Sequence, residues 1–333
     1  MTGTQGKLPR LGFLGLGWIG QHRMQALLEA GACEVAVVAD PSESVRERVR
    51  ALAPQAAVVS SLDEMLAHAI DGAVIATPSA LHASQALQLL ERGVAVFCQK
   101  PLARTAQETA AMVDAARRAD RLLACDFSYR HTEAMRRVRQ GVAEGEIGEV
   151  YAADMVFHNA WGPDKSWARD AALAGGGCAI DLGVHLVDLA LWVLGFPEVR
   201  SVDSRLHAQG RRLAPGAGEV EDYAVAQMDL ASGATVRLAC SWNFSAGRDA
   251  VIEAHFHGRG GGLSMVNRAG SFYDFAAERY SGNQRSVLTE PPDAWGGRAI
   301  VQWARRLAAG AGFDPGIATA VQVASVIDRI YQR

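Results

Sequence analysis

The chain has 333 residues, 49% of them hydrophobic and 21% charged. That length suits about two domains, and the composition excludes a disordered chain. Its 33 basic and 36 acidic side chains leave a formal charge of −3, without the clustered basic excess of a nucleic-acid binder. Only three of the basic residues are lysines: Lys7, Lys100 and Lys165. A coding bias toward arginine is the simplest cause. Each retained lysine still raises a question, because lysine can lose its proton in a site and arginine cannot.

The opening stretch does not read as a signal peptide. Its first apolar run, Leu11 to Gly20, is broken by glycines and continues into Gln21-His22-Arg23. No apolar run reaches about 18 residues, so no membrane span is expected. Cys33, Cys98, Cys125, Cys178 and Cys240 are scattered and form no CxxC pair. That pattern predicts a reduced cytoplasm, not a disulfide framework. His255 and His257 alternate in a strand-like run and lack metal-ligand spacing, so no metal is expected.

In chain order, strands are predicted at 11–14, 35–39, 57–59, 73–76, 94–97 and 122–125. Helical patterns lie between them at 19–30, 43–52, 62–68, 80–91 and 106–119. Short apolar strands separated by three-turn helices predict a doubly wound parallel sheet. After about residue 130 the pattern changes. A helix at 133–142 and a long strand at 150–159 come first, then a helix at 184–194 that stops at Gly195 and Pro197. Strand-like segments follow near 199–208, 219–230, 234–243, 249–257, 262–266 and 270–275. Their short turns predict an antiparallel or mixed sheet. Helices at 297–309 and 317–331 close the chain. The expected fold class is α/β: a nucleotide-binding domain over 1–128, then an α+β domain over 129–333 for substrate and oligomerisation.

Gly15-Leu16-Gly17-Trp18-Ile19-Gly20 follows the first strand and opens the first helix. Glycines there allow a tight turn and close approach of a pyrophosphate to the helix N-terminus. Asp40 ends the second strand, 20 residues beyond Gly20, where a carboxylate can accept both ribose hydroxyls. Pro41 and Ser42 follow, with no adjacent arginine for a 2′-phosphate, which favours NAD over NADP.

Cys98-Gln99-Lys100-Pro101 follows the fifth strand. Ligands of open α/β sheets bind outside the strands' carboxyl ends, so Lys100 is placed where a nicotinamide can lie. A second constellation runs from Gly175-Gly176-Gly177 through Asp181 to His185. Asp181 and His185 stand four apart. A carboxylate one turn from an imidazole can orient it and raise its basicity. The alternative makes Asp181 a helix cap and His185 a satisfied polar residue on a buried helix.

From Leu11 to about Tyr331 the chain resembles the Gfo/Idh/MocA family of nicotinamide-dependent oxidoreductases, which includes glucose–fructose oxidoreductase and inositol dehydrogenases. The marks are Gly15-x-Gly17-x-x-Gly20, Ala76-Thr77-Pro78 with His82, Lys100-Pro101, Tyr129-Arg130, and Gly175 to His185 with Asp188. The resemblance implies a Rossmann domain followed by an open, mostly antiparallel sheet. It implies a catalytic set of Lys100, Asp181 and His185. Thr77, Pro78, His82 and Gln99 then border the cofactor, with Trp18 and Ile19 in the glycine turn. Arg130 borders the active cleft, and the segment His158–Lys165 with Trp161 lies near it. One departure stands out: the family usually has Glu before the lysine, and this chain has Gln99.

The expected function is hydride transfer between NAD and a secondary alcohol of a sugar, cyclitol or related polyol. His185 is the expected base, oriented by Asp181. Lys100 stabilises the developing alkoxide. The alternatives are an NAD-dependent glycosidase of the same fold and a non-catalytic NAD-sensing regulator. The C-terminal sheet needs cover on its second face, which predicts a homodimer or homotetramer.

Overall fold

The computed structural model describes residues 8–214 and 216–333, and Lys7 lies outside the described residues. The chain divides into two compact units. The first holds the described residues up to Ala103, then Gln107–Asp126 and Gly296–Ala320. The second holds Arg104–Ala106, Phe127–Trp295 and Val321–Arg333.

The first unit is a six-stranded parallel sheet in the order β3-β2-β1-β4-β5-β6. The strands are β1 (Arg10–Leu14), β2 (Glu34–Ala39), β3 (Ala57–Val59), β4 (Gly72–Ile75), β5 (Ala95–Cys98) and β6 (Leu123–Cys125). Helices α1 (Trp18–Glu29), α2 (Glu43–Leu52), α3 (Leu62–Met65), α4 (Ser79–Glu91) and α5 (Ala106–Ala119) alternate with them. β1, β4 and β5 are buried almost throughout, as strands covered on both faces must be.

A division at 128/129 does not describe how the chain runs after residue 295. Gly296–Ala320 returns to the first unit. There the helix Arg298–Ala308 buries Ala299, Ile300, Trp303 and Ala304 in the same core cluster as Leu11, Val74 and Phe97. The Trp303 and Phe97 rings lie 5.7 Å apart. The apolar stripe announces a helix, but not which sheet it covers.

In the second unit α6 (Glu133–Ala143) precedes β7 (Val150–Asn159). Then come α7 (Ala171–Ala174), a five-residue π turn (Ala179–Gly183) and α8 (Val184–Val193). With β7, strands β8 (Val199–Ala208), β9 (Arg211–Arg212), β10 (Tyr223–Leu230), β11 (Thr235–Ser241), β12 (Ala250–Gly258), β13 (Gly261–Asn267), β14 (Phe275–Ser281) and β15 (Gln284–Thr289) build a nine-stranded sheet ordered β15-β14-β13-β12-β7-β11-β10-β8-β9. All its pairings are antiparallel except β7 with β11. Helices α6 and α8 pack on one face. The strand expected at 270–275 is not there. A hairpin of β14 (Phe275–Ser281) and β15 replaces it. β15 is an edge strand whose first four residues are exposed, so it shows no apolar alternation.

The helical run Ala171–Val193 has a mean hydropathy of 1.5 and is long enough to span a membrane, which the run-length count missed. It is 89% buried within the protein and serves as a core helix.

Candidate active site

The nucleotide turn comes first. Gly15 has φ +84°, and an added Cβ would lie 2.7 Å from the Ala76 carbonyl. A Cβ on Gly20 would lie 2.2 Å from the Gly15 carbonyl oxygen. Both glycines are therefore demanded by close backbone approach. Gly17 occupies the N-cap of α1 without any side-chain cap, so the first amides of α1 stay available for an anion. Trp18 heads that helix, exposed and stacked on His22, and Ile19 is half-buried beside it.

Asp40 is buried at the end of β2. Its Oδ2 accepts from the Leu16 amide at 2.8 Å and its Oδ1 from the Ser42 amide at 2.9 Å. The carboxylate is thus tied to the glycine turn, and each oxygen keeps capacity for a ribose hydroxyl. These residues fit a nicotinamide dinucleotide. The structure also places an arginine there that the adjacent sequence does not show. Arg46 donates to the Asp40 carbonyl at 2.6 Å and pairs with Glu43.

The carboxyl ends of β4 and β5 carry the next group. His82, on α4, is buried, with Nδ1 2.8 Å from the Pro101 carbonyl and Nε2 2.8 Å from the Thr77 carbonyl. It braces the two loops together. Burial pushes its pKa below the ordinary histidine value, and the two carbonyl contacts oppose that shift. Thr77 donates to Gln85 at 2.6 Å, and Pro78 caps α4. Gln99 ties its amide to the Ile75 carbonyl at 2.9 Å. Its side chain donates to Asp126 Oδ2 at 2.6 Å. Lys100 is half-buried between Gln99 and Pro101.

In the second unit the triple glycine makes its turn against a buried carboxylate. Glu221 accepts from the Gly177 and Ala179 amides, the latter at 2.8 Å, and from the Tyr331 hydroxyl at 2.7 Å. A Cβ on Gly176 would lie 2.1 Å from that hydroxyl, and one on Gly177 would lie 2.0 Å from the Glu221 carbonyl. Burial raises the Glu221 pKa, and its hydrogen bonds oppose the rise. Asp181 follows within the π turn, and Trp242 Nε1 donates to its Oδ2 at 3.1 Å. His185, on α8, is buried edge-on to the Tyr129 ring at 4.8 Å. Phe157 lies 6.3 Å from the imidazole and 5.8 Å from the Tyr129 ring, so the three rings form one cluster.

Arg130 is already engaged. It grips buried Asp188 with Nε at 2.8 Å and with Nη2, and its guanidinium lies over Phe127, Trp192 and Phe196. It fastens the loop before α6 to α8. In the segment 158–165, His158 bonds Ser241 at 2.7 Å and stacks on Phe244 at 4.3 Å. Trp161 and Lys165 are exposed. Sequence reasoning missed Arg23, Asp126, Glu221, Trp242 and Tyr331, which support the expected residues from outside their motifs.

A glycine turn of this shape, with a carboxylate bonded back to it and a lysine loop at the fifth strand's end, defines a dinucleotide-binding α/β protein. Residues 10–127 match the oxidoreductase family with an NAD-binding Rossmann fold, and residues 135–264 match the Gfo/Idh/MocA C-terminal domain. The chain belongs to the Gfo/Idh/MocA oxidoreductase family. It is 28% identical over 235 residues to a D-glucoside 3-dehydrogenase of Escherichia coli, covering 68% of this chain and 64% of that one. The chain thus spans less than two thirds of that relative's length. A putative UDP-kanosamine synthase oxidoreductase subunit of Amycolatopsis mediterranei is 32% identical, over 76% of this chain and 73% of its own. GenD2 from gentamicin A biosynthesis, solved with NAD, superposes with a TM-score of 0.82 at 25% identity. That match covers 100% of this chain and 95% of the other.

Proposed function

We propose that the protein is an NAD-dependent dehydrogenase acting on a secondary alcohol of a sugar, cyclitol or related polyol. The observation that carries the reading lies in the first unit. A turn that fits the pyrophosphate and a braced loop holding Lys100 stand at the carboxyl ends of one sheet. NAD, when bound, accepts the hydride. His185 takes the hydroxyl proton. Asp181, steadied by Trp242, favours the charged imidazolium that follows. Lys100 supplies the positive group that stabilises the developing alkoxide. The three glycines and Glu221 hold the turn that delivers Asp181 and His185.

The test is a panel of sugars, cyclitols and their keto forms, followed by NADH absorbance with NAD and with NADP. NADH formed with a free polyol is the expected result. Release of an aglycone without NADH overturns the reading in favour of glycoside cleavage. Binding of NAD with no turnover on any member favours a sensor.

The reading extends to assembly and compartment. On the sheet face away from α6 and α8, Asp154 pairs with Arg237 and His257, and His255 pairs with Glu253. We take this charged face as the one a second copy covers, giving a homodimer or homotetramer. Sedimentation as a monomer at micromolar concentration overturns that. The five cysteines are scattered along the sequence, a pattern that fits a reduced, cytoplasmic setting.

A further inference from the structure

Three buried side chains from separate parts of the first unit meet beside the Lys100 loop. Arg23 projects from α1, Gln99 precedes the lysine, and Asp126 follows β6. Arg23 Nε and Gln99 Nε2 each donate to Asp126 Oδ2 at 2.6 Å. Asp126 is 1% exposed, Arg23 5% and Gln99 7%. The other carboxylate oxygen, Oδ1, is buried and has no hydrogen-bond partner among the described residues.

We propose that Asp126, clamped by Arg23 and Gln99, is the anionic positioning residue for Lys100, carrying after the sixth strand the charge that residue 99 lacks.

Arg23 is a permanent cation, 5% exposed, and Asp126 is the carboxylate ion-paired with it at 2.6 Å. A charged carboxylate only accepts, so its neighbour at 99 must donate, and glutamine does. A glutamate there would set two carboxylates in contact without water, which forces one to take up a proton or move away. Gln99 is therefore the partner that Asp126 requires.

The backbone removes the option of moving away. Gln99 is tied to Ile75, and the Asp126 amide donates to the Cys98 carbonyl at 2.8 Å. Arg23 stands on the helix that begins at the phosphate turn, so the clamp links that helix to the lysine loop. The partnerless Oδ1 is an acceptor kept at a cost. Such costs are retained where a site uses the charge.

The scarcity of lysine makes a direct test readable. The protein, saturated with NADH, is labelled at pH 8 with limiting acetic anhydride. Mass spectrometry then gives the labelling of Lys100 relative to exposed Lys165. Asp126→Asn removes an anion, which disfavours the charged amine and raises the ratio about threefold. Gln99→Glu with Asp126→Asn moves the anion back across the contact and returns the ratio to within about 1.5-fold of the parent. In kinetics, Gln99→Glu alone and Asp126→Asn alone each lower kcat/KM about tenfold and shift the alkaline limb of its pH profile. The swap recovers most of both.

An unchanged ratio in folded Asp126→Asn overturns the proposal. So does a swap that fails to fold, or that folds with the ratio of the single variant. The kinetic arm rests on the dehydrogenase reading, and the labelling arm does not. Expected ratios with no polyol oxidised sink that reading alone. Unchanged ratios with normal turnover sink the role of Asp126 alone.

Discussion

The two units hold their functional side chains by different means. In the first, supports are mostly main-chain groups at neighbouring strand ends: the Leu16 and Ser42 amides for Asp40, and the Thr77 and Pro101 carbonyls for His82. In the second, they are side chains from distant sequence. Glu221 lies 44 residues from Gly177, Tyr331 lies 154 from it, and Trp242 lies 61 from Asp181. Main-chain supports survive most substitutions, because every residue has an amide and a carbonyl. Side-chain supports vanish with one change. The second unit should therefore be the more fragile under mutation, and the first the more tolerant away from its glycines and the reacting groups.

The reacting groups set the top of the scale. Lys100→Met and His185→Ala should each lower kcat/KM about 10²- to 10⁴-fold, with Tm near the parent's. Near-normal turnover in both would remove them from the reaction. Next comes a support. Glu221→Ala strips the Gly177 and Ala179 amides and the Tyr331 hydroxyl of a buried acceptor, and should destabilise the protein by about 3 kcal/mol. Urea unfolding measures this. A loss under about 1 kcal/mol would show that the turn relaxes onto other partners and would erase the contrast between the units.

The same contrast explains what could be read in advance. The parallel sheet, the glycine turn and the lysine loop were legible because their cause is local: period, glycine spacing and strand ends. Arg23, Asp126, Glu221, Trp242 and Tyr331 were not, because each acts through a contact that only the folded chain creates. Asp126 carried a faint signal, an acidic residue directly after an apolar strand, but nothing in the order of residues joins it to Gln99. The hairpin of β14 and β15 was lost for another reason. β15 is an exposed edge strand and β14 opens with four consecutive buried residues, so neither shows an apolar alternation.

A smaller effect probes the main-chain supports of the first unit. Asp40→Ser keeps a short hydroxyl near the Leu16 amide and removes the charge that repels a 2′-phosphate. Arg46 is already at the Asp40 carbonyl. NADH affinity should fall about tenfold and NADPH affinity should rise, measured by the fluorescence of the reduced nicotinamide. If NADPH binding stays as weak as before, Arg46 is fully committed to Glu43, and the pocket's preference does not depend on Asp40 alone.

The smallest expected effect is a pH dependence, and its sign tests how His82 braces its loops. Both ring nitrogens face carbonyl oxygens, yet a neutral ring can donate to only one. Burial nevertheless holds the pKa below the ordinary 6.5, so the folded protein favours the neutral ring. The unfolded chain then binds the proton more readily, and stability is lost as pH falls from 6.5 toward the folded value. Thermal melts should show Tm dropping by about 2 °C between pH 7 and pH 5 from this group. His22 and His158 shift in the same direction, so the comparison is with His82→Gln, whose profile should be flatter. A parent Tm that rises on acidification, with the rise gone in His82→Gln, would mean the opposite. The two carbonyls would then outweigh burial, and the brace would be an imidazolium donating to both loops at once.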